Sequence, residues 1–304
     1  MEEIKDYICD TIIEEIYFKT TIQMKTVNSL SGGKTSSYIA KHYPADYNVF
    51  ALVRVNDVAC KFKDDKIRKI VEDKIQQPFI GTAEEDLIIY TMLDLEQYLG
   101  EKINWISPIS FDDVINNKNG KRFLPNKVQR NCTVKMKVEP IAQWCYENLD
   151  LPVEMRIGFR ANEQIRAKNM IERFNGKNET FKFKVGQKNG RNKWKTLPYR
   201  SVKFPLIEDG IFKDTIEEYW KDKPVRFAYM NNCVGCFHRS EILLNHLSKR
   251  DPVKFEWFAK QERETNYKAT WKTNVTYDKI KTHKKQLDLF DDDFNDCDSG
   301  YCVL

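Results

Sequence analysis

From residue 25 onwards, short apolar runs alternate with segments in which apolar residues recur at the helical period. Short apolar runs predict buried strands at 25–30, 48–55, 102–107 and 151–159. Between these runs, apolar residues recur with the helical period, which predicts helices at 35–42, 63–74, 84–99, 140–149 and 161–174. Strands that alternate with helices are typical of βαβ units. The pattern therefore predicts an α/β core with a doubly wound, mostly parallel sheet and helices on both faces.

The pattern changes after residue 170. A basic segment with the turn sequence QKNGRNK predicts a hairpin, and further helices are expected at 214–221, 239–248 and 252–265. At the other end of the chain, isoleucines spaced four residues apart predict an amphipathic helix. We therefore divide the chain into an N-terminal helix (1–23), an α/β core (24–170), a C-terminal appendage of helices and a β-hairpin (171–287), and an acidic tail (288–304).

Charge is distributed unevenly between these regions. The 304-residue chain has a net charge of +5, but its tail holds six Asp and no Lys or Arg, so the rest of the chain carries +11. Eight cations and no acid lie in residues 181–204. Because Phe181, Phe183, Trp194 and Tyr199 are interleaved with these cations, the segment is a candidate contact for nucleic acid, either tRNA or DNA. A solvated hairpin is the simpler alternative.

Neither a membrane-spanning run nor a secretory signal is recognisable in the sequence. No stretch of eighteen apolar residues occurs and the N-terminus is acidic, so we expect no membrane association and a cytoplasmic location. In that compartment the eight cysteines are expected to be reduced thiols, metal ligands or catalytic groups. Cys9, Cys60 and Cys145 stand in apolar contexts that favour burial in a core.

The first predicted strand leads into a helix through a glycine-rich loop, Ser31-Gly32-Gly33-Lys34-Thr35-Ser36-Ser37. Anions bind at such strand ends in open parallel sheets, because free N–H groups and the helix dipole point outward. The glycines let the backbone approach a ligand, Lys34 adds a positive charge, and the hydroxyl groups add donors. Asn28 stands where a Walker A motif requires glycine, so the loop is of another type. A glycine turn without a ligand is the plain alternative. We predict a phosphate-binding loop made of Ser31, Gly32, Gly33, Lys34, Thr35 and Ser36.

This loop resembles the SGGxDS pyrophosphate loop of the PP-loop ATP pyrophosphatases, which have the Rossmann-like adenine nucleotide α-hydrolase-like fold. Three later segments resemble the phosphoadenosine phosphosulfate (PAPS) reductase branch of that superfamily, which also contains the sulfur-inserting component of DNA phosphorothioation systems. They are similar to its Cys(Cys/Thr)xxxKxxP, G(I/V)RxxES and P(L/I)xDW segments and lie, in the same order, at 130–141, 158–166 and 204–210. Thr35, Gln164 and Gly210 depart from the Asp, Ser and Trp of these motifs.

The resemblance implies an adenine nucleotide as ligand: PAPS, adenylyl sulfate, or ATP with Mg²⁺. Arg160 and Arg166 stand at the end of a predicted strand and the start of the next helix, where two guanidinium groups can clamp a phosphate or sulfate. For Arg166 alone, surface charge on an amphipathic helix is the simpler interpretation. Lys135 and Lys137 follow Cys132 closely and are further candidate anion contacts, or merely solvated lysines.

The cysteines with the sharpest spacing are Cys233 and Cys236, because a CxxC turn points two sulfurs at one centre. In the cluster-bearing proteins that the chain resembles, an earlier Cys segment and a later CxxC hold a [4Fe-4S] cluster, which implies Cys132 as a third ligand. Thr133 occupies the second place of the Cys pair, so a fourth thiolate comes from elsewhere or is missing. Zinc, with His238 as a nitrogen ligand, is one alternative, and an unligated redox CxxC is another.

The acidic tail contains Cys297 and Cys302. By resemblance to the reductases, whose C-terminal Cys attacks sulfur, Cys302 is a candidate catalytic thiol alongside Lys34 and Arg160, and Cys297 or Cys302 is a candidate fourth ligand. An exposed tail with a reducible cysteine pair is the plain alternative. The neighbouring Asp residues would raise the pKa of these thiols unless the basic body compensates.

Taken together, these features lead us to expect a cytoplasmic, PAPS reductase-like enzyme. It would act either as a sulfonucleotide reductase that depends on a thiol reductant, or as a PP-loop ATP pyrophosphatase that transfers sulfur. The alternative is a non-catalytic module that binds a nucleotide and zinc and acts on nucleic acid or on a protein partner. Iron in the purified protein would favour the enzyme, and zinc would favour the module.

Overall fold

The computed structural model describes residues 24–116 and 122–282. Within them the strands are β1 (Thr26–Leu30), β2 (Tyr47–Ala51), β3 (Arg54–Val55), β4 (Gly81–Thr82), β5 (Ile103–Ile106), β6 (Val153–Arg156), β7 (Glu179–Lys188) and β8 (Arg191–Lys203). The α-helices of five or more residues are α1 (Lys34–His42), α2 (Asp65–Ile75), α3 (Leu87–Leu99), α4 (Phe111–Ile115), α5 (Glu139–Asn148), α6 (Gln164–Arg173), α7 (Lys213–Trp220), α8 (Glu241–Arg250), α9 (Pro252–Arg263) and α10 (Tyr277–Thr282).

Six of the strands form one sheet in the order β5–β2–β1–β6–β8–β7. The first five are parallel, and β7 is antiparallel to β8. This confirms the predicted α/β class with a mostly parallel sheet. The chain first moves outward from β1 through β2 to β5 and then returns to β6 on the other side of β1. Such a reversal opens a crevice at the carboxyl ends of β1 and β6, where doubly wound sheets bind their ligands.

Helices cover both faces of the sheet, because successive side chains of each strand point to opposite faces. Val49 and Ala51 of β2 belong to one buried cluster with side chains of α5 and α6, whereas Phe50 belongs to another with side chains of α1, α2, α3 and α7. Burial on both faces explains why β2 carries three consecutive buried apolar residues, Val49 to Ala51, rather than an alternating pattern.

A third core joins α4 to α8, α9 and α10. Its centre is the fully buried Trp271, whose indole Nε1 donates to the carbonyl of Phe258 at 2.9 Å. Val53 and Ala83, which follow β2 and β4, are part of the same core, and Cys132 and Cys233 pack against it. The C-terminal helices therefore carry the CxxC segment to the carboxyl edge of the sheet.

The basic segment contributes a strand to the central sheet as well as a hairpin. The hairpin predicted at QKNGRNK is present: Asn189 and Gly190, with φ of 52° and 74°, form the two-residue turn. Residues 200–203, at the end of its second strand β8, pair in parallel with β6 and therefore belong to the sheet of the α/β core. The predicted N-terminal helix and the acidic tail lie outside the described residues. In the part of the chain that the structure describes, no helix is long and apolar enough to cross a membrane.

Candidate functional site

The glycine loop lies at the carboxyl end of β1, beside the crevice where the strand order reverses. Gly32 has φ of +77°, a conformation that glycine adopts without strain. A Cβ atom on Gly33 would collide with the Asn231 amide, so the loop also packs tightly against the segment that precedes the CxxC. The predicted strand, loop and helix are thus arranged as anion binding at a helix N-terminus requires.

Hydroxyl groups of the loop hold its shape. Ser36 Oγ accepts the Ser31 N–H at 3.2 Å, lies 3.1 Å from Ser31 Oγ, and donates to the Gly33 carbonyl at 3.1 Å. Gly158, at the end of β6, faces the loop, since a Cβ there would lie 3.3 Å from Thr35 Cγ2. Ser31, Thr35 and Ser36 are therefore part of the loop's own structure as well as candidate ligand contacts.

Lys34 is engaged by helix α7. Its Nζ forms an ion pair with Glu217, and its carbonyl accepts the Trp220 Nε1–H at 3.0 Å. A phosphate bound at the loop would have to displace Glu217 from its ion pair with Lys34. No local sequence pattern marks Glu217, because it lies 183 residues from Lys34 on a helix with an ordinary amphipathic pattern.

The structure brings Arg160 and Arg166 together on one buried carboxylate. Glu163 accepts hydrogen bonds from the Arg160 backbone N–H at 2.9 Å and from its Nε at 3.2 Å, and it also forms an ion pair with Arg166 Nη1. Arg160 is only 4% exposed, and the Arg166 guanidinium stacks over Phe159 at 4.3 Å from the ring centroid. Arg166 is therefore not simple surface charge, although both arginines already have an anionic partner within the protein.

The three predicted cysteine ligands meet in one pocket. Cys132, Cys233 and Cys236 all line it, together with His238. Burial, Glu84 and the other two cysteines together raise the pKa of Cys233 well above its ordinary value, with Lys137 opposing them. The crowding of three thiols in a desolvated space favours the binding of a positive centre, which would stabilise their thiolate forms.

The CxxC turn is held on several sides. Cys236 N–H donates to the Cys233 carbonyl at 3.1 Å, and Val234 N–H donates to the Ala83 carbonyl at 2.9 Å. A Cβ on Gly235 would overlap the Phe258 ring, so the turn sits directly against the third core. Tyr277 Oη donates to the Gly235 carbonyl at 3.0 Å. The turn is thereby fixed to β4 on one side and to α9 and α10 on the other.

Three thiols and an imidazole are suitable ligand types for a metal ion, but these side chains are not placed closely enough around one point to ligate it. Among the described residues, no three His, Cys, Asp or Glu side chains form a group that could hold a metal ion. Cys60 and Cys145 are buried in cores, as predicted, and burial raises the pKa of each to about 12. Cys9, Cys297 and Cys302 lie outside the described residues.

Lys137 lies between the cysteine pocket and a second cavity under the glycine loop. It lines both, and the second cavity is also lined by Ser31, Tyr199 and Arg200. Lys137 belongs to a π-helical turn, Val134–Val138, that precedes α5. By contrast, Lys135 of the same turn forms an exposed ion pair with Glu139 at 2.7 Å. Of these two lysines, the structure directs Lys137 to the candidate site.

Glu84 is a further residue that sequence reasoning missed. Its carboxylate is 0% exposed, Oε1 accepts from Lys137 Nζ at 2.9 Å, and Oε2 has no hydrogen-bond partner among the described residues. Its backbone forms an antiparallel bridge with Cys233. In the sequence, Glu84 is one of several acids before a helix, and the only signal that could have found it was its place after the short apolar run at 77–82.

The aromatic residues of the basic segment divide between core and surface. Phe183 and Tyr199 are buried, and Phe181 packs against both rings. Trp194 alone of the four is exposed, at 52%. The expected interleaving of cations with exposed rings therefore reduces to a single ring.

No protein-family model matches the chain, and neither the curated proteins nor the solved structures contain a significant match. The similarity of the glycine loop to the PP-loop superfamily, and of three later segments to its PAPS reductase branch, therefore rests on those short segments alone.

Proposed function

We propose that the chain is a PAPS reductase-like PP-loop enzyme that binds an adenine nucleotide at the glycine loop and carries out sulfur-related chemistry at the adjoining cysteine pocket. The observation that carries this proposal is the position of Lys137, which lines both the cavity beneath the loop and the pocket of Cys132, Cys233 and Cys236. A nucleotide and a thiol-bound centre would thus share one cation.

The charged groups around the loop suit a bound phosphate or sulfate. Free N–H groups at the start of α1 would meet the anion first. Lys34 would then exchange Glu217 for a phosphate oxygen. Arg160 and Arg166 would redirect some of their guanidinium N–H groups from Glu163 to the ligand. Such positioning and charge neutralisation supply most of the catalysis when an activated phosphate or sulfate is split.

Cys132, Cys233 and Cys236 would hold a [4Fe-4S] cluster, or zinc with His238 as a fourth ligand. Held by these three thiolates, a cluster would supply a binding site for sulfide or for a substrate. For either centre the cysteine side chains would have to close on the metal, since their present spacing does not ligate one.

The proposal has two versions of the chemistry. In the reductive version, the Cys302 thiolate attacks the sulfur of PAPS or adenylyl sulfate; an S–S bond forms, the S–O bond breaks, and the nucleotide leaves with that electron pair. A thiol reductant then attacks Cys302 Sγ, which forms a disulfide and releases sulfite. In the other version, an acceptor oxygen attacks the α-phosphate of ATP–Mg²⁺, pyrophosphate leaves, and sulfide then displaces AMP. The acceptor there would be a nucleic acid, tRNA or DNA.

A non-catalytic module that binds a nucleotide and zinc is the second candidate. The observation that favours it is the pairing of the loop's cations with carboxylates of the protein, together with Thr35 at the position of the motif's Asp. The module and the enzyme differ in metal content and turnover.

Anaerobic purification followed by metal analysis and a nucleotide panel tests the proposal. We expect brown protein that contains iron, binds PAPS, adenylyl sulfate or ATP, and turns over the one that it binds. Cys233→Ala should lose the iron, whereas Cys145→Ala, which changes a core cysteine, should keep it. Colourless protein with stoichiometric zinc and no turnover would favour the module and reject the enzyme.

A further inference from the structure

The hairpin of β7 and β8 projects as a two-stranded ribbon beyond the body of the protein. Every residue from 184 to 196 is exposed, so the part of the chain that the structure describes covers neither face of the ribbon over this length. The stretch contains five Lys or Arg and no Asp or Glu. No ion pair of any of these five cations occurs within the described residues, in contrast to Arg200 at the root of the ribbon, which pairs with Glu179.

Four of the five cations share one face of the ribbon. Residues directly opposite each other in an antiparallel pair lie on the same face, and alternate residues of a strand do so too. Lys195 is opposite the core residue Phe183, Lys193 is opposite Gly186, and Arg191 is opposite Lys188. Lys188, Arg191, Lys193 and Lys195 therefore continue the core-side face of β8 outward, while Trp194 and Lys184 lie on the other face.

The ribbon points away from the glycine loop. Arg200 is level with Val153, the first residue of β6, so the sheet's amino edge is at that point. Arg191 precedes Arg200 by nine residues, which at roughly 3.3 Å per residue puts the hairpin turn about 30 Å beyond that edge. The glycine loop is at the opposite, carboxyl end of β1. The ribbon's cations are consequently too distant to contact a nucleotide held by the loop.

We infer that the ribbon is a separate binding surface for duplex nucleic acid, which it contacts through the phosphates. A row of cations at every second residue of a strand repeats at roughly 6.7 Å, close to two base-pair steps of a duplex at about 3.4 Å each. Stacking on unpaired bases would need several exposed rings, and the ribbon offers only Trp194 on the face away from the four cations. Uncompensated charge with little aromatic surface is typical of backbone binding without base recognition.

Duplex binding by the full chain, measured by fluorescence anisotropy across a salt series, tests this inference. The ribbon variant changes Lys188, Arg191, Lys193 and Lys195 to Gln. The matched control changes four exposed lysines elsewhere to Gln: Lys63, Lys66, Lys69 and Lys102. Each cation that meets a phosphate contributes about 0.9 to the slope of log affinity against log salt, so the ribbon variant should lower that slope by up to about 3.6 relative to wild type. The control variant should lower it by less than about 1.

Further probes distinguish duplex nucleic acid from other anionic ligands of the ribbon. A labelled DNA duplex and an RNA duplex of the same length distinguish the two sources of the phosphate backbone, and binding of either one through the ribbon supports the inference. Equal binding by the wild type, the ribbon variant and the control would overturn it. So would tighter, ribbon-dependent binding of single strands, of anionic phosphatidylserine vesicles, or of a peptide with the sequence of residues 288–304. Trp194→Ala should leave the salt slope unchanged.

This test is independent of the nucleotide site. The loss of iron or of nucleotide turnover would refute the proposed function without altering duplex binding. Thermal unfolding of the ribbon variant shows whether its substitutions, all at exposed positions, leave the fold intact.

Discussion

Positive charge is concentrated at two places, the carboxyl edge of the sheet and the ribbon at the opposite end, and the two places differ in how their cations are paired with carboxylates. At the carboxyl edge every cation singled out for the site has a carboxylate partner: Lys34 has Glu217, Arg160 and Arg166 share Glu163, and Lys137 has Glu84. On the ribbon, no cation from 184 to 196 has such a partner among the described residues.

This difference predicts different roles for the charges. Cations that are already paired with carboxylates are positioned in advance and act on a ligand at short range, after exchanging one anion for another. Exposed cations without partners act at longer range, and salt screens them over about 8–10 Å. The carboxyl edge is therefore suited to selective binding of a small anion, and the ribbon to attracting a polyanion.

The largest expected effect concerns the buried pair of Glu84 and Lys137. Glu84→Ala should lower the free energy of unfolding by about 3–5 kcal/mol, because removal of one partner leaves a largely desolvated charge behind. Urea unfolding measures the change. Glu139→Ala breaks the exposed Lys135 pair and should cost less than about 1 kcal/mol. Equal losses in the two variants would show that burial does not distinguish these pairs.

A buried carboxylate that forms no ion pair with any described residue sharpens the comparison. Glu262 accepts the N–H groups of Trp271 and Tyr277, and burial raises its pKa from 4.5 to about 7. The folded state therefore binds the Glu262 proton more tightly than the unfolded state does. Protonation of Glu262 contributes about 3 kcal/mol to the free energy of unfolding; this contribution is complete below pH 4.5 and is lost as the pH rises through 7.

Urea unfolding between pH 4 and 8 tests this dependence on Glu262. Glu262→Gln should flatten the fall in stability, since the amide does not titrate. Glu172→Gln, at an exposed position of α6, should retain the dependence of the wild type. An unchanged pH profile in Glu262→Gln would assign the fall to other groups.

The pair of Lys34 and Glu217 yields a prediction for binding. If Lys34 exchanges Glu217 for phosphate, Lys34→Ala should weaken nucleotide binding by about 10- to 100-fold, the value of a charged hydrogen bond. Glu217→Gln should strengthen it, because the competing anion is removed. Calorimetry with PAPS and ATP measures both. Glu218→Gln, on the neighbouring exposed residue, is the control. Binding unaffected by Lys34→Ala would remove the loop's cation from the site.

The smallest expected effect is on the stability of the ribbon. Replacing Lys188, Arg191, Lys193 and Lys195 by Gln should change the free energy of unfolding by less than about 0.5 kcal/mol per site, because these side chains are exposed and unpaired within the described residues. Thermal and urea unfolding check this. A large loss of stability would mean that the ribbon's charges are compensated within the protein, and the contrast with the carboxyl edge would fail.

Much of the fold could be predicted, because buried strands and amphipathic helices leave local signals. The glycine loop was found for the same reason: strand, glycines and helix are contiguous. The partners of its cations could not be found locally, since Glu217 lies 183 residues from Lys34. The role of the basic segment was also obscured, because its lysines hide the strand pattern of β8, and because Phe183 and Tyr199 read as exposed rings although they are core residues.

The sequence by itself determined the α/β class, the arrangement of strand, glycine loop and helix, and the residue types available for chemistry, because each depends on residues adjacent in the chain. Only the tertiary structure decided which of them meet. Packing of α8–α10 against the carboxyl edge brings Cys233 and Cys236 to Cys132, and the parallel pairing of β8 with β6 sends the basic ribbon in the other direction. Both outcomes follow from the burial of apolar faces far apart in sequence, which no local pattern records.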